Sequence, residues 1–390
     1  MEVGALLLSG PNPESSGILG VPTALLPVVG APIVKHLADQ LAAEGVRRVK
    51  VVISCIGSAQ ETAAEDARRT LGGDVTWRQT SREQFWASAY SAYITLKESG
   101  CERILVVRLG GYLELSLPAL IAFHKRSGNR LTRFYKDREP LDAFLVSASD
   151  QEGAALLFSA DFGGLENQIC PSIYNVPGYV NPLANIFDLR QIFTDIFAWR
   201  TLTKPRGKEL RPGIWIGEGA KINRGARLVA PVFIGAHSRV RASAVITRGS
   251  SLEHHTEVDC GTVIENSTVL PYSYVGAGLE VMHSVVGDKS IANLKRKIVL
   301  RVEDPKLLNA ITPSAGLRAL LSAGALAAYL PTQFFRGFLP KPPAADCLVA
   351  GDKTGALQPF GIDTGISSTV PAIAEKSASN DLVTARTHGQ

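Results

Sequence analysis

Cysteine is scarce in this chain: five in 390 residues, at Cys55, Cys101, Cys170, Cys260 and Cys347. The number is odd, no two form a Cys-x-x-Cys pair, and the spacing is irregular. That argues against a disulfide framework and a zinc knuckle, and for reduced thiols in a cytoplasmic protein. No run of 18 apolar residues occurs, so no transmembrane segment is expected. The first ten residues, MEVGALLLSG, carry an acid and no basic residue ahead of the apolar run, unlike a secretory signal. A surplus of one charge sign is also nearly lacking. The net charge of +5 is too small over this length to support nucleic-acid binding without a local patch. What is present is an ordinary globular composition, 45% apolar and 20% charged, enough to bury a large core. The length leads to an expectation of two or three domains.

The small charge excess is local. Residues 288–336 hold eight basic side chains (Lys289, Lys295, Arg296, Lys297, Arg301, Lys306, Arg318 and Arg336) against Asp288, Glu303 and Asp304, so the rest of the chain is neutral overall. Residues 293–340 join the basic stretch NLKRKIVLR to an apolar one, LRALLSAGALAAYLPTQFFRGFL. The apolar centre, about 14 residues, is too short to cross a bilayer. We read residues 293–340 as a basic-apolar helical segment that covers the open end of the preceding repeat. The alternative is that Phe334, Phe335 and Phe338 with Arg336 sit at a membrane interface or in a partner's groove. Residues 341–390 have one aromatic, Phe360, and are rich in Ala, Ser, Thr and Gly. A disordered tail is expected there, because so little apolar surface does not offset the entropy of ordering.

A repeat occupies the middle of the chain. Stepping by six from Ile216 gives Ile222, Leu228, Ile234, Val240, Ile246, Leu252, Val258, Ile264 and Leu270, every one a large aliphatic. Four residues after each, the side chain is usually small: Ala220, Ala226, Val232, Ser238, Ala244, Ser250, Thr256, Thr262 and Thr268, with Tyr274 the exception. This is the hexapeptide pattern of a parallel β-helix, in which the aliphatic points inward and the small residue fits a corner. The phase slips by one residue after Leu270, at Val275 and Val281. His237, His254, His255 and His283 lie in this region and read first as exposed turn or face residues.

The N-terminal half alternates strand and helix patterns. Residues 3–8 form an apolar run, followed by a Gly-, Pro- and Ser-rich loop to residue 22. Pro32 opens a helix with Ile33, Leu37 and Leu41 on one face and Gly45 as its stop. Residues 49–54 and 104–109 read as strands; 59–71, 83–97 and 117–126 read as helices. Such alternation implies an α/β fold with a parallel sheet covered on both faces. Ligands bind beyond the carboxyl ends of such strands, which selects Ser9, Gly10, Gly110 and Gly111. Gly10 and Gly30 are also accounted for by tight turns alone.

Residues 6–53, LLLSGPNPESSGILGVPTALLPVVGAPIVKHLADQLAAEGVRRVKVVI, resemble the start of the sugar-1-phosphate nucleotidyltransferases, the mannose-1-phosphate guanylyltransferase-like enzymes that make NDP-sugars from an NTP and a sugar phosphate. The block Pro22-Thr23-Ala24-Leu25-Leu26-Pro27-Val28-Val29-Gly30-Ala31-Pro32 is similar to that family's Pro-Lys-x-Leu-x-Pro-(x)2-Gly-x-Pro. Residues 104–128, including His124, resemble its central strand, metal loop and helix. The resemblance implies a Rossmann-like nucleotidyltransferase domain over 1–205 and a left-handed β-helix over 206–292. It also implies an NTP or NDP-sugar as ligand, and a homo- or hetero-oligomer formed through the β-helix.

The departures fall on the catalytic positions. The family's Gly-Thr-Arg loop is replaced by Gly10-Pro11-Asn12-Pro13-Glu14, which loses N–H donors and gains an acid. Its Lys is Thr23, and its metal-binding Asp is Gly111. A polyanionic transition state needs those charges. The expectation is therefore a catalytically degenerate, regulatory or scaffolding member with no catalytic or metal-binding residue. Ser9, Gly10, Thr23, Gly110 and Gly111 are its candidate substrate contacts. Arg108, Lys136 and Asp137 are the polar groups left over, with 134–141 read as a solvated turn. An active enzyme with a rearranged Mg2+ site would need Glu114 and Asp142 to converge near Gly110. A hexapeptide acyltransferase would need His237 or His254 as general base.

Overall fold

The computed structural model describes residues 2–10, 21–54, 58–72, 75–159, 172–287 and 289–311. The loop read at 11–20, most of the segment read as helical over 293–340, and the tail at 341–390 lie outside them.

The first half builds β1 (Val3–Ser9), β2 (Pro27–Val28), β3 (Ala31–Pro32), α1 (Ile33–Ala43), β4 (Arg48–Ser54), α2 (Ser58–Thr70), β5 (Val75–Thr80), α3 (Phe85–Glu98) and β6 (Arg103–Arg108). It continues with β7 (Tyr112–Leu113), α4 (Leu117–Ser127), β8 (Leu131–Lys136), β9 (Glu139–Ser147), α5 (Gln151–Ser159), β10 (Ser172–Asn175), β11 (Val180–Asn181) and α6 (Ile186–Phe197). Leu6 and Leu8 of β1 face one buried cluster and Ala5 and Leu7 another, so the strand is apolar throughout because both of its faces are covered.

The seven-stranded sheet runs β10-β8-β9-β6-β1-β4-β5. It is parallel from β6 through β1 and β4 to β5, but β9 runs antiparallel to β6 and to β8. The sheet is mixed, which corrects the all-parallel expectation. The cause is a two-residue hairpin at Asp137-Arg138, both with positive φ (48° and 75°), the backbone a tight β-hairpin needs. The segment at 134–141 is that hairpin.

The second half is a stack of short strands in three parallel ladders. One joins Ile214–Ile216, Val232–Ile234, Ser250–Leu252 and Thr268–Val269. The second joins Lys221–Ile222, Arg239–Val240, Glu257–Val258 and Ser273–Val275. The third joins Arg227–Val229, Val245–Thr247, Val263–Glu265 and Glu280–Met282. Each step is 18 residues until Leu252 pairs with Val269, after which it is 17. The slip therefore comes one repeat earlier than the hexapeptide count suggests. Val269 takes the inward place in the ladder cluster, while the adjacent Leu270 packs into the α/β core. The small residues are buried hydroxyls with work to do: Ser238 donates to Glu253 O (2.8 Å) and Thr256 to Ser238 (3.1 Å), satisfying polar groups between successive layers.

Residues 293–311, where a helix was expected, are strand and turn instead. Ile298–Arg301 pairs antiparallel with Ser290–Asn293, and Leu308–Ala310 with Ser273–Val275. The β-branched Ile298 and Val299 suit a strand, and the hairpin is closed by a turn at 294–297. That turn is pinned by the Arg296 N–H on the Asn293 side chain (3.0 Å).

The expected boundary at 205/206 is bridged by shared core. Trp215, Phe233, Leu270 and Val285 belong to the same apolar cluster as β1, α1 and α6. Arg190 on α6 is buried and donates to Gly249 O (2.6 Å), Asn266 Oδ1 (2.6 Å) and Thr268 Oγ1 (3.3 Å) across that boundary. Burial lowers its pKa to about 10.

Candidate functional site

The carboxyl edge of the sheet brings four of the five candidate contacts together. β1 and β6 are neighbours, and the Leu109 N–H donates to Leu8 O (2.8 Å), so Ser9-Gly10 and Gly110-Gly111 leave adjacent strands side by side. Thr23 is buried in a single 3-10 turn, Thr23–Leu25, that packs on α1 and α2.

Each glycine at this edge has a different neighbour. A Cβ on Gly10 would stand 2.5 Å from the ring of Phe85, the first residue of α3. The close approach that glycine permits is used by a phenyl ring. A Cβ on Gly111 would stand 2.5 Å from the carbonyl oxygen of Asn181, because β7 pairs with β11 across this point. Gly110 has open space where its Cβ would be. A carboxylate at position 111 has no room.

The remaining polar groups are engaged separately. Lys136 donates to the carbonyls of Gly178 (3.0 Å) and Val176 (3.4 Å). Arg108 lies over the Trp86 ring at 5.7 Å and 3.8 Å from Asp142. Glu114 is buried and accepts from Tyr112 Oη (2.8 Å) and the Leu202 N–H (2.7 Å), tying the strand after Gly111 to the chain beyond α6. Glu114 and Asp142 have distinct partners. Among the described residues no group of three His, Cys, Asp or Glu is placed to hold a metal ion. The described residues at this edge do not fit a Mg2+ site.

The histidines divide by environment. His124 is buried between the hydroxyls of Thr132 (2.7 Å) and Ser147 (2.9 Å), a bridge from α4 to the sheet. His237, His255 and Tyr272 occupy successive corners of the stack, all with φ near 56°, and their rings lie on one another. Tyr272 donates to Asp66 of α2 (2.7 Å). His254 packs against this column and is lowered to about 4 by burial. His283 contacts Asn266 (2.7 Å). His237 is exposed, while His254, His255 and His283 are half-buried, with His254 and His255 in a turn.

One functional group escaped sequence reasoning. The Val29-Gly30 turn between β2 and β3 has φ of 45° and 94° and sits under the ring of Phe233, which would lie 2.8 Å from a Cβ on Gly30. The fully buried Glu253 reaches this turn from the ladders, accepting from the Gly30 N–H (2.9 Å) and the Ser251 hydroxyl (3.1 Å). Successive left-handed residues make a concave set of N–H donors that favours an anion. Burial nevertheless pushes the carboxyl up to about 7. The Pro-Val-Val-Gly-Ala-Pro block thus serves as a docking turn for the second half of the chain. Sequence carried only a faint signal: in the same corner column, Gly217 and Gly235 precede Glu253 at 18-residue steps.

Compared with protein-family models and with curated proteins, the chain matches none of either.

Proposed function

We propose that this protein is a nucleotidyltransferase-like chain without ordinary catalysis, acting as a regulatory or scaffolding subunit in sugar-nucleotide metabolism. In this reading its three ladders wind as a left-handed parallel β-helix behind a Rossmann-like domain. The observation that carries it is the closed place at Gly111. The chain there lacks a carboxylate, and the Asn181 carbonyl occupies the space one would need. Thr23 supplies no charge, and Lys136 spends its donors on backbone carbonyls. In this reading Ser9-Gly10 and Gly110-Gly111 at the β1–β6 edge bind an NTP or NDP-sugar without activating it for nucleotidyl transfer. Binding without turnover stabilises the folded state by mass action.

The test has two arms. A thermal-shift series with NTPs, NDP-sugars and sugar phosphates is expected to show stabilisation by at least one class. A pyrophosphorolysis assay with the same NDP-sugars and Mg2+ is expected to show no turnover. Turnover at an ordinary enzymatic rate, abolished by Arg108→Ala or Lys136→Ala, would reject the proposal.

A further inference from the structure

The ladder containing Ile214–Ile216 extends into an eight-stranded sheet that ends, among the described residues, at Ile298–Arg301 on one side and Lys208–Arg211 on the other. The two edges are built differently. Three of the four residues of Lys208–Arg211 are charged and the strand carries a register shift between Glu209 and Arg211, both devices that discourage strand addition. Ile298–Arg301 has neither. Its Ile298, Val299 and Leu300 are 40%, 65% and 53% exposed, and its one charge, Arg301, lies at its end.

The hydrogen bonds of this strand are half used. The Val302 N–H donates to Lys289 O (2.7 Å), continuing the ladder with Ser290–Asn293. In an antiparallel ladder alternate residues point their N–H and C=O the same way. Val302, Leu300 and Ile298 therefore bond inward, and Val299 and Arg301 present theirs at the free edge.

The sequence around that edge is self-complementary when read backwards: Arg296-Lys297 precedes it and Glu303-Asp304 follows. We propose that this edge pairs antiparallel with the same edge of a second copy of the chain, about a two-fold axis through Leu300. A two-fold normal to a sheet keeps every side chain on its own face, so facing residues differ by an even number and the axis passes through a residue. Centring on Val299 sets Lys297 against the partner's Arg301. Centring on Arg301 sets it against the partner's Arg301. Both oppose like charges, which is destabilising. Centring on Leu300 brings the basic turn residues Arg296 and Lys297 of each copy to the end of the strand where the partner's Glu303 and the partner's Asp304 lie. It also sets Ile298 against the partner's Val302 and Leu300 against the partner's Leu300. In that register Val299 and the partner's Arg301 exchange both backbone bonds, and the symmetric pair does the same. Centring on Val302 also opposes Arg301 to the partner's Glu303, so charge leaves two registers, and of these Leu300 is the one that overlaps the whole paired span, residues 298–302, with itself. The interface is isologous, as a closed two-fold dimer requires.

The test uses the full chain in sedimentation velocity at low and high salt. Wild type is expected to be a dimer that weakens with salt. Charge reversal at one end (Arg296→Glu with Lys297→Glu) or the other (Glu303→Lys with Asp304→Lys) is expected to raise the dimer Kd roughly tenfold or more, since each opposes like charges on both sides. An equimolar mixture of the two reversed proteins is expected to recover dimer as a heterodimer. Mild oxidation of Leu300→Cys is expected to give a covalent dimer absent from wild type and weak in Val299→Cys. This follows because only residue 300 faces itself, at the short Cα separation of a non-hydrogen-bonded pair. A wild type that stays monomeric at about 100 µM overturns the proposal, that being the weak end of specific association. So does a dimer whose Kd ignores both charge reversals, or equal cross-linking through residues 299 and 300.

Discussion

Glu253→Gln isolates one of the contacts that join the two halves of the protein. The carboxyl titrates near 4.5 in the unfolded chain and is raised to about 7 when folded, burial outweighing the N–H groups of Gly30 and Val29 and the Ser251 hydroxyl. Between those values the folded state holds a proton that the unfolded state has released. The contribution of Glu253 to stability is therefore fully present below about pH 4.5, falls as pH rises toward 7, and is constant above it. At roughly 1.36 kcal/mol per unit the whole span is about 3 kcal/mol, of which about 2.5 kcal/mol lies between about pH 5 and pH 8. Glutamine keeps an oxygen for the Gly30 N–H and has no proton to lose. Urea unfolding of both proteins at these two pH values gives the stability difference, in which all other titrations cancel. Glu253→Gln should gain about 2.5 kcal/mol on wild type between pH 5 and pH 8. A change below about 0.5 kcal/mol, or one of opposite sign, would refute the argument that the buried carboxyl is driven toward neutrality.

Other consequences follow from single contacts. Gly111→Asp should cost about 1–3 kcal/mol through collision with the Asn181 carbonyl, while Gly110→Asp, facing open space, should cost much less; equal losses in thermal denaturation would refute the distinction. Gly10→Ala should destabilise by a similar amount and couple to Phe85→Leu. A double-mutant cycle with an interaction energy under about 0.5 kcal/mol would show that the ring is not the obstacle. Arg190→Met strands two or three buried acceptors between α6 and the ladders and should cost about 2–4 kcal/mol, read as a lowered Tm. A loss within error would mean those bonds carry no net energy.

Elements whose causes are local were readable in advance. The apolar run at 3–8, the helix opened by Pro32 and closed at Gly45, and the strand at 104–109 fall within a residue or two of β1, α1 and β6. The inward aliphatics of the hexapeptide pattern form one buried cluster, from Ile234 to Ile264 without exception. What was misplaced depended on partners. Asp137-Arg138 lacks the Asn-Gly signature of a hairpin, so the antiparallel β8–β9 pair was missed, and with it the mixed sheet. The count of six carried past Ile264 chose Leu270 over Val269, since both are aliphatic and only the choice of core distinguishes them. Basic and apolar residues at 293–301 are compatible with helix or strand, and pairing with Ser290–Asn293 decided it.

By itself the sequence determined the periodicities, six in the ladders and the alternation before them, because side-chain direction along a helix or strand is a property of the local backbone. It also determined that Thr23 and Gly111 bring no charge to the sheet's carboxyl edge. Only the tertiary structure decided that Asn181 closes the place beside Gly111, that Glu253 reaches a turn 223 residues away at Gly30, and that, among the described residues, the second sheet ends at Ile298–Arg301 on one side and Lys208–Arg211 on the other. Those facts are distances between remote residues. Burial, desolvation and free hydrogen-bonding groups are set by such distances, and no local pattern contains them.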